Sequence, residues 1–145
     1  MRWAGILNTA PETAPDFGAP PMIAMPRVGR AVFLSDFMGP RDAVFPALMS
    51  AAGQGIGGIY VQILDPVEEE FPFAGRTRFE SVGRQVRHET DQASSLREAY
   101  LHRLAERRDD LAKVARRAGW RLILHRTDES PRKALLKLYA ALGGA

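Results

Sequence analysis

The chain has 145 residues, which suits one domain built around a single hydrophobic core. A hydrophobic fraction of 46% and a charged fraction of 26% are typical of a globular protein and exclude a disordered or fibrous one. There is no cysteine, which excludes disulfide bonds, thiolate zinc sites and thiol nucleophiles. The formal net charge of +3 is concentrated after residue 86 and permits an acidic partner without requiring one.

The amino-terminal residues lack the long apolar stretch of a signal peptide. No apolar run approaches the roughly 20 residues that a membrane span needs. We therefore expect a cytoplasmic protein without a membrane span. Basic residues between positions 103 and 117 are interleaved with acidic ones, which favours ion pairs along a helix over a phosphate-binding stripe. We expect no nucleic-acid partner.

Residues 1–28 differ in composition from the rest of the chain. Residues 1–7 are compatible with the last turns of a helix, and five of the ten prolines follow within residues 11–26. Proline fixes φ and lacks a backbone donor, so this stretch is neither regular helix nor central strand. We predict a remnant and proline-rich linker or arm over residues 1–28, and a folded domain over residues 29–145.

Short apolar runs predict three strands buried on both faces, at residues 30–35, 59–64 and 120–125. Amphipathic spacing predicts helices at residues 41–52, 91–118 and 131–142. Between them we predict a loop at residues 67–75 and a β-hairpin at residues 76–90 with its turn at 81–84. The order β-α-β-hairpin-α-β-α predicts an α/β fold with a partial parallel sheet and helices on both faces. The residues expected to face the sheet from the last helix are Leu135, Leu138, Tyr139 and Leu142.

Three strands are few for such a sheet, and the first strand is expected to have one uncovered edge. An apolar, uncovered edge favours pairing with another strand. A homodimer formed through this edge is therefore one possible assembly.

Known catalytic motifs are weak or absent. Residues 53–58 match G-x-G-x-x-G, but a helix precedes them and a strand follows, so we interpret them as the loop that ends a helix. His88, His102 and His125 lack the spacing of catalytic or zinc-binding histidines. Ser35 does not lie in a G-x-S-x-G nucleophile elbow. These patterns favour a protein without catalytic activity.

Two aspartates directly follow neighbouring predicted strands. Asp36 follows the first strand and Asp65 the second, so both belong at the carboxyl edge of the sheet, where open α/β sheets bind ligands. Paired carboxylates there suit Mg²⁺ and predict, as an alternative function, a metal-assisted phosphohydrolase. In the structural alternative, Asp36 caps the next helix and Asp65 forms a turn with Pro66. Both interpretations stay open for Asp36, and the structural one is favoured for Asp65.

An acidic and aromatic segment follows Asp65. Residues 68–70 are three glutamates, typical of a solvated loop, and Phe71 and Phe73 follow on either side of a proline. The two rings either pack over the end of the sheet or offer an apolar contact to a partner. We predict Asp65, Glu68, Phe71 and Phe73 as possible partner contacts.

Five segments together resemble a known family. LSDFMGP, IYVQILDPVEEEFPFAG, the hairpin, REAYLHRL and GWRLILHRTDESP are similar to the carboxyl-terminal half of the domain-of-unknown-function 58 family. The resemblance covers roughly residues 27–142. That family resembles von Willebrand factor A domains, which implies a Rossmann-like, three-layer fold with a metal-ion-dependent adhesion site.

The resemblance implies a role as well as a fold. In the S-D-F segment, Asp36 corresponds to the metal-ligating aspartate of the adhesion site. The D-x-S-x-S motif and the first three strands of the family are absent, so the chain resembles a half domain, and Mg²⁺ is expected only in a complete one. Family members are often encoded beside MoxR-type AAA+ ATPases. The expected function is that of a non-catalytic protein-interaction module, working with such an ATPase in assembly or maturation.

Overall fold

The computed structural model describes residues 20, 22–26, 28–73, 75, 77–80, 87–90 and 93–143. The strands are β1 (Arg30–Ser35), β2 (Gly57–Leu64), β3 (Thr77–Glu80), β4 (Arg87–Thr90) and β5 (Arg121–Arg126). The helices are α1 (Arg41–Ala52), α2 (Pro66–Glu70), α3 (Ala93–Ala118) and α4 (Pro131–Gly143). The predicted order of elements is confirmed, with α2 as an addition.

A small parallel sheet organises the domain. Its strand order is β1-β2-β5, with β2 in the centre and both neighbours parallel to it. In register, Phe33 of β1 stands beside Tyr60 of β2, which stands beside Leu122 of β5. Strands β3 and β4 form a separate antiparallel pair. The fold is therefore mixed α/β and compatible with a Rossmann-like arrangement.

One face of the sheet, called the inner face, is covered by α1 and α3 and carries an aromatic cluster. The rings of Tyr60 and Trp120 lie 4.9 Å apart, and that of Phe33 lies about equally far from both, at 5.9 and 6.0 Å. The Tyr60 hydroxyl donates to the Leu48 carbonyl at 3.2 Å, and the Trp120 indole N–H donates to the Ile56 carbonyl at 2.9 Å. The polar atoms of both rings are thus paired although the rings are buried. The helices add Val44, Phe45, Leu48, Ala51, Leu111 and Ala115.

The opposite face, called the outer face, is covered by α4 alone. Its buried cluster consists of Ile59, Val61 and Ala141, with Ile63, Ile123, Leu138 and Leu142 packed around it. All of these sheet residues belong to β2 or β5. On β1, Val32 and Leu34 point to the same face and remain 37% and 63% exposed. Within the described residues, α4 therefore covers two of the three strands, and the prediction that the first strand is buried on both faces is wrong.

The helix α2 (Pro66–Glu70) overlaps the segment that we predicted as a loop at residues 67–75, so that prediction is wrong over residues 67–70. A capping box starts the helix: the Asp65 side chain accepts from the backbone N–H of Val67, and the Glu68 side chain accepts from the N–H of Asp65, both at 2.9 Å. Pro66 occupies the first helical position, where its missing N–H costs nothing. Residues 68–70 are glutamates, which favour a helix by intrinsic propensity. The partial positive charge at the amino terminus of the helix stabilises their negative charges further.

The predicted inner side of the last helix is correct for Leu138 and Leu142 and wrong for two residues. Leu135 and Tyr139 are 64% and 78% exposed. The stripe that meets the sheet passes through Ala141, whose small side chain lets the helix approach β2 and β5 closely. Leu135 and Tyr139 lie beside this stripe and do not belong to the outer-face cluster.

Some predictions fall outside the described residues. They are the remnant at residues 1–7, most of the proline-rich arm, the hairpin turn at 81–84 and the first two residues of the helix predicted at 91–118. The division into residues 1–28 and 29–145 stays a prediction. Among the helices within the described ranges, none combines the length and the apolar character needed to cross a membrane.

Candidate functional site at the carboxyl end of the sheet

Asp36 leaves β1 in a tight local turn. Its Oδ1 accepts from the Met38 backbone N–H at 2.9 Å and from the Ser35 hydroxyl at 3.3 Å. The same hydroxyl accepts from the N–H of Phe37 at 3.0 Å. Phe37 has a left-handed φ of 57° and a buried ring that contacts Tyr60 edge-on. The strained backbone at Phe37 and its buried ring therefore fix the position of the exposed Asp36 carboxylate.

Asp36 does not cap the next helix. The residue at the start of α1 is Pro40, and no side chain accepts a capping hydrogen bond there. The structural interpretation of Asp36, as the cap of the next helix, is therefore wrong. The Asp36 carboxylate lies at the end of β1, bonded to Ser35 and Met38, and makes no capping bond to α1.

A buried polar link runs behind Asp36. Gln62 of β2 is buried and donates its amide N–H to the Asp36 carbonyl at 2.9 Å. Its amide oxygen accepts from Arg108 Nε at 3.2 Å, and Arg108 also pairs with Glu69 of α2. The amide of Gln62 is thus satisfied on both sides, as a buried polar group must be. The link joins β1, β2, α3 and α2.

Arg126 forms a second link at the end of β5. Its guanidinium lies 3.3 Å from Glu69, 3.3 Å from Glu70 and 3.0 Å from Asp128. The hydrogen bonds to Asp128 raise the pKa of Arg126, and the same contact holds the pKa of Asp128 below its usual range. Arg126 therefore stays charged and ties α2 to β5.

Asp65 uses both carboxylate oxygens within the chain. Oδ1 accepts from Val67 as the cap of α2, and Oδ2 accepts from the Thr127 hydroxyl at 2.7 Å. The hydrogen bonds from Thr127 and then Val67 hold the pKa of Asp65 below its ordinary value of 3.8. The structure therefore gives Asp65 a structural role, as the cap of α2 and a bond to the segment after β5.

Phe71, Phe73 and Tyr100 form an aromatic group beside these carboxylates. Phe71 ends α2 in a left-handed conformation, with φ 44°, and its buried ring stacks on Tyr100 at 4.8 Å. Phe73 meets Phe71 edge-on at 5.1 Å and is half-buried. Burial, and then the negative charges of Glu68 and Asp36, raise the pKa of Tyr100 to about 12. The Tyr100 hydroxyl therefore stays protonated at neutral pH and lies within the field of both carboxylates.

The sequence reasoning missed four residues of this site. Gln62 carried a usable signal, because it is the one polar residue in the apolar run IYVQIL. Tyr100 and Arg108 lie on a long helix with many charged residues, and Arg126 lies just past the predicted strand, so nothing in their spacing marked them. Arg108 and its partner Glu69 are 39 residues apart along the chain, and Arg126 and its partner Glu70 are 56 residues apart.

The described residues do not form a magnesium site by themselves. They include no group of three or more His, Cys, Asp or Glu side chains that could hold a metal ion. Asp36 offers one carboxylate with the Ser35 hydroxyl beside it, while both Asp65 oxygens are engaged. Mg²⁺ requires a nearly octahedral set of oxygen ligands. Magnesium thus stays a prediction for a longer polypeptide, and no step below depends on it.

No family model matches the chain. Uncharacterized protein Rv1480 of Mycobacterium tuberculosis is 31% identical over 102 residues, which are 70% of this chain and 32% of that protein. Uncharacterized protein MAV169 of Mycobacterium avium is 30% identical over 102 residues, 70% of this chain and 59% of that protein. The chain thus spans one third to three fifths of the length of these curated relatives. No solved structure matches it significantly.

Proposed function

We propose that the chain is a non-catalytic, cytoplasmic protein-interaction module of the von Willebrand A-like type, contacting its partner at the carboxyl end of the sheet around Asp36. One observation carries the proposal. An exposed carboxylate is held in a fixed turn at this end, and its negative charge, together with that of Glu68, helps to raise the pKa of the Tyr100 hydroxyl. A positioned acceptor on a rigid scaffold is suited to recognising a cationic or hydrogen-bond-donating group of another protein.

The scaffold around Asp36 supports a contact surface more than a catalytic centre. Arg108 and Arg126 bind the glutamates of α2, so that helix is anchored rather than mobile. Glu68 is half-buried in the capping box, and Phe71 is buried against Tyr100. Of the residues predicted as contacts, Asp65, Glu68 and Phe71 therefore support the surface, while Phe73 lies at its rim.

The resemblance to the domain-of-unknown-function 58 family supplies the proposed partner, a MoxR-type AAA+ ATPase. The mycobacterial relatives are longer than this chain, which is compatible with a module that forms part of a larger protein. In such a protein, further residues would stand beside Asp36, and Mg²⁺ would become a plausible bridging ion there.

The proposal is tested by biolayer interferometry with the full chain immobilised and a purified MoxR-type ATPase from the same genome as the probe, with and without MgCl₂. Asp36→Ala is expected to weaken binding roughly tenfold, the scale of a central polar contact. Asp109→Ala is the matched control, because Asp109 is an exposed aspartate of α3 outside the site. Equal binding by the Asp36→Ala variant and the unchanged chain would reject the site.

The alternative, a metal-assisted phosphohydrolase using Asp36 and Asp65, has less support, because both Asp65 oxygens are already bonded to Val67 and Thr127. The described residues also place no general base next to Asp36. Turnover of p-nitrophenyl phosphate in MgCl₂ that disappears in Asp65→Asn would favour this alternative over the interaction module.

A further inference from the structure

The outer edge of β1 is a second surface, which adjoins the site around Asp36 at the carboxyl end of the strand. Within the described residues, β1 pairs only with β2. A groove of about 800 Å³ runs along the strand and is lined mostly by apolar side chains, among them Val32, Leu34 and Phe37. The strand RAVFLS contains no proline or lysine, the residues that commonly block an edge strand. The edge therefore has the chemistry of a strand-pairing surface.

The other wall of the groove is held in place by Gln54. Its side-chain oxygen accepts from the Met25 N–H at 2.6 Å, and its amide donates to the Ile23 carbonyl at 3.0 Å. These bonds fix the segment before β1 against the loop that follows α1. Ile23 and Met25 line the groove together with β1, so an extended apolar segment would contact side chains on both walls.

The sequence of β1 is complementary to itself in one antiparallel register. Side chains directly opposite in an antiparallel pair lie on the same face, so only registers that match even with even positions preserve the two faces. With Phe33 opposite Phe33 of a second copy, Val32 stands opposite Leu34. In the same register Arg30 stands opposite Asp36, which directly follows the strand, so opposite charges meet at both ends. The two neighbouring registers lose this match, because they place Arg30 opposite Leu34 or Asp36 opposite Val32.

We propose that β1 pairs antiparallel with β1 of a second copy of this chain, in the register centred on Phe33. The pairing joins two three-stranded sheets into one of six strands around a twofold axis, an isologous contact. Two six-residue strands bury less than the ~1,200 Å² of a standard stable interface. The dimer is therefore weak and forms with rising concentration, at micromolar levels or above.

Light scattering of the full chain over a concentration series tests the proposal, with circular dichroism on the same samples to verify folding. The unchanged chain is expected to pass from monomer to dimer mass. Leu34→Lys places a charge opposite Val32 and is expected to raise the dissociation constant roughly tenfold or more. Leu124→Lys is the matched control on β5, the opposite edge strand, where Leu124 is 44% exposed. It is expected to leave the dimer unchanged.

Charge reversal tests the register. Arg30→Asp faces Asp36 of the other copy with a like charge, and Asp36→Arg does the same to Arg30, so each is expected to weaken the dimer severalfold. The double variant Arg30→Asp with Asp36→Arg restores opposite charges at both ends and is expected to restore dimerisation. This readout does not involve the ATPase, so failure of the dimer and failure of the proposed function are distinguishable.

Three outcomes would overturn the proposal. The first is monomer mass for the folded, unchanged chain at every concentration. The second is a dimer that Leu124→Lys disrupts and Leu34→Lys does not, which would place the contact at β5. The third is a double variant that associates no better than the single variants, which would exclude this register. If Leu34→Lys does not fold, Val32→Lys serves in its place at the neighbouring outer-face position of β1.

Discussion

The two faces of the sheet are built differently. The inner face is covered by two helices and filled with aromatic rings, whose hydroxyl and indole groups bond to backbone carbonyls. The outer face is covered by one helix and filled with aliphatic side chains, and its β1 residues remain exposed. The comparison indicates that most of the fold's stability comes from the inner face. The outer face keeps accessible surface that another polypeptide can cover.

The largest change in stability is expected where the inner face is packed most tightly. A Cβ at Gly58 would overlap the ring of Trp120, which is buried and bonded to Ile56. Gly58→Ala should therefore destabilise the protein by about 3 kcal/mol, the upper range of overpacking. Gly57→Ala is the control, since a Cβ there meets no atom within 4 Å. Urea unfolding measures both, and equal midpoints for the two variants would contradict the tight packing assigned to Trp120.

A smaller effect is expected at the carboxyl end of the inner face. Arg108→Met removes the donor to the buried Gln62 oxygen and the partner of Glu69. Leaving a buried acceptor unpaired should cost about 2 kcal/mol. Arg103→Met, on an exposed turn of the same helix, should change stability by less than about 0.5 kcal/mol. If the two variants unfold at the same urea concentration, the buried link does not stabilise the fold.

On the outer face we expect a milder response to loss of volume. Ile59→Val removes one methylene from the cluster under α4 and should cost about 1 kcal/mol. The counterpart Val32→Ala, on β1, should cost less than about 0.5 kcal/mol, because Val32 is 37% exposed and does not belong to the cluster under α4. The free energies of unfolding are compared from the same urea series. A larger loss for Val32→Ala would mean that this part of the face is already covered.

The smallest effect concerns pH. The folded-state pKa of Asp65 lies below its unfolded value, so its charge stabilises the fold above the unfolded pKa and this contribution is lost as the pH falls through the lowered pKa. Asp65→Asn keeps a capping side chain but not the charge. Its melting temperature should be lower than that of the unchanged chain at pH 7, and the difference should shrink as the pH falls below 3.8. Thermal scans across pH measure the difference, with Asp109→Asn as the control for a substitution at an exposed aspartate.

The sequence contained enough to predict the strands of the sheet, because they are continuous apolar runs and glycines mark the helix ends. Burial on both faces was correct for β2 and wrong for β1, whose Val32 and Leu34 are exposed. It also placed Asp36 and Asp65 correctly at the carboxyl edge. The different surroundings of these aspartates could not be predicted, since the Asp65 partner Thr127 lies 62 residues away along the chain. The helix α2 was missed although its capping box, Asp65 with Glu68, is visible in the sequence. The helical spacing of Leu135, Leu138, Tyr139 and Leu142 marks one side of α4, but it does not show which part of that side meets the sheet.

Gln62 has a consequence for how the strands find their alignment. Its amide donates to the carbonyl of Asp36 on β1 and accepts from Arg108 on α3, and only one orientation of the amide satisfies both. A slip of β1 by one residue along β2 would move the Asp36 carbonyl away and leave a buried amide without its acceptor. The same slip would turn Phe33 away from Tyr60 and Trp120, because neighbouring positions of a strand point to opposite faces. Gln62 thus selects one pairing of β1 with β2 during folding, and with it the place where the carboxylate of Asp36 emerges.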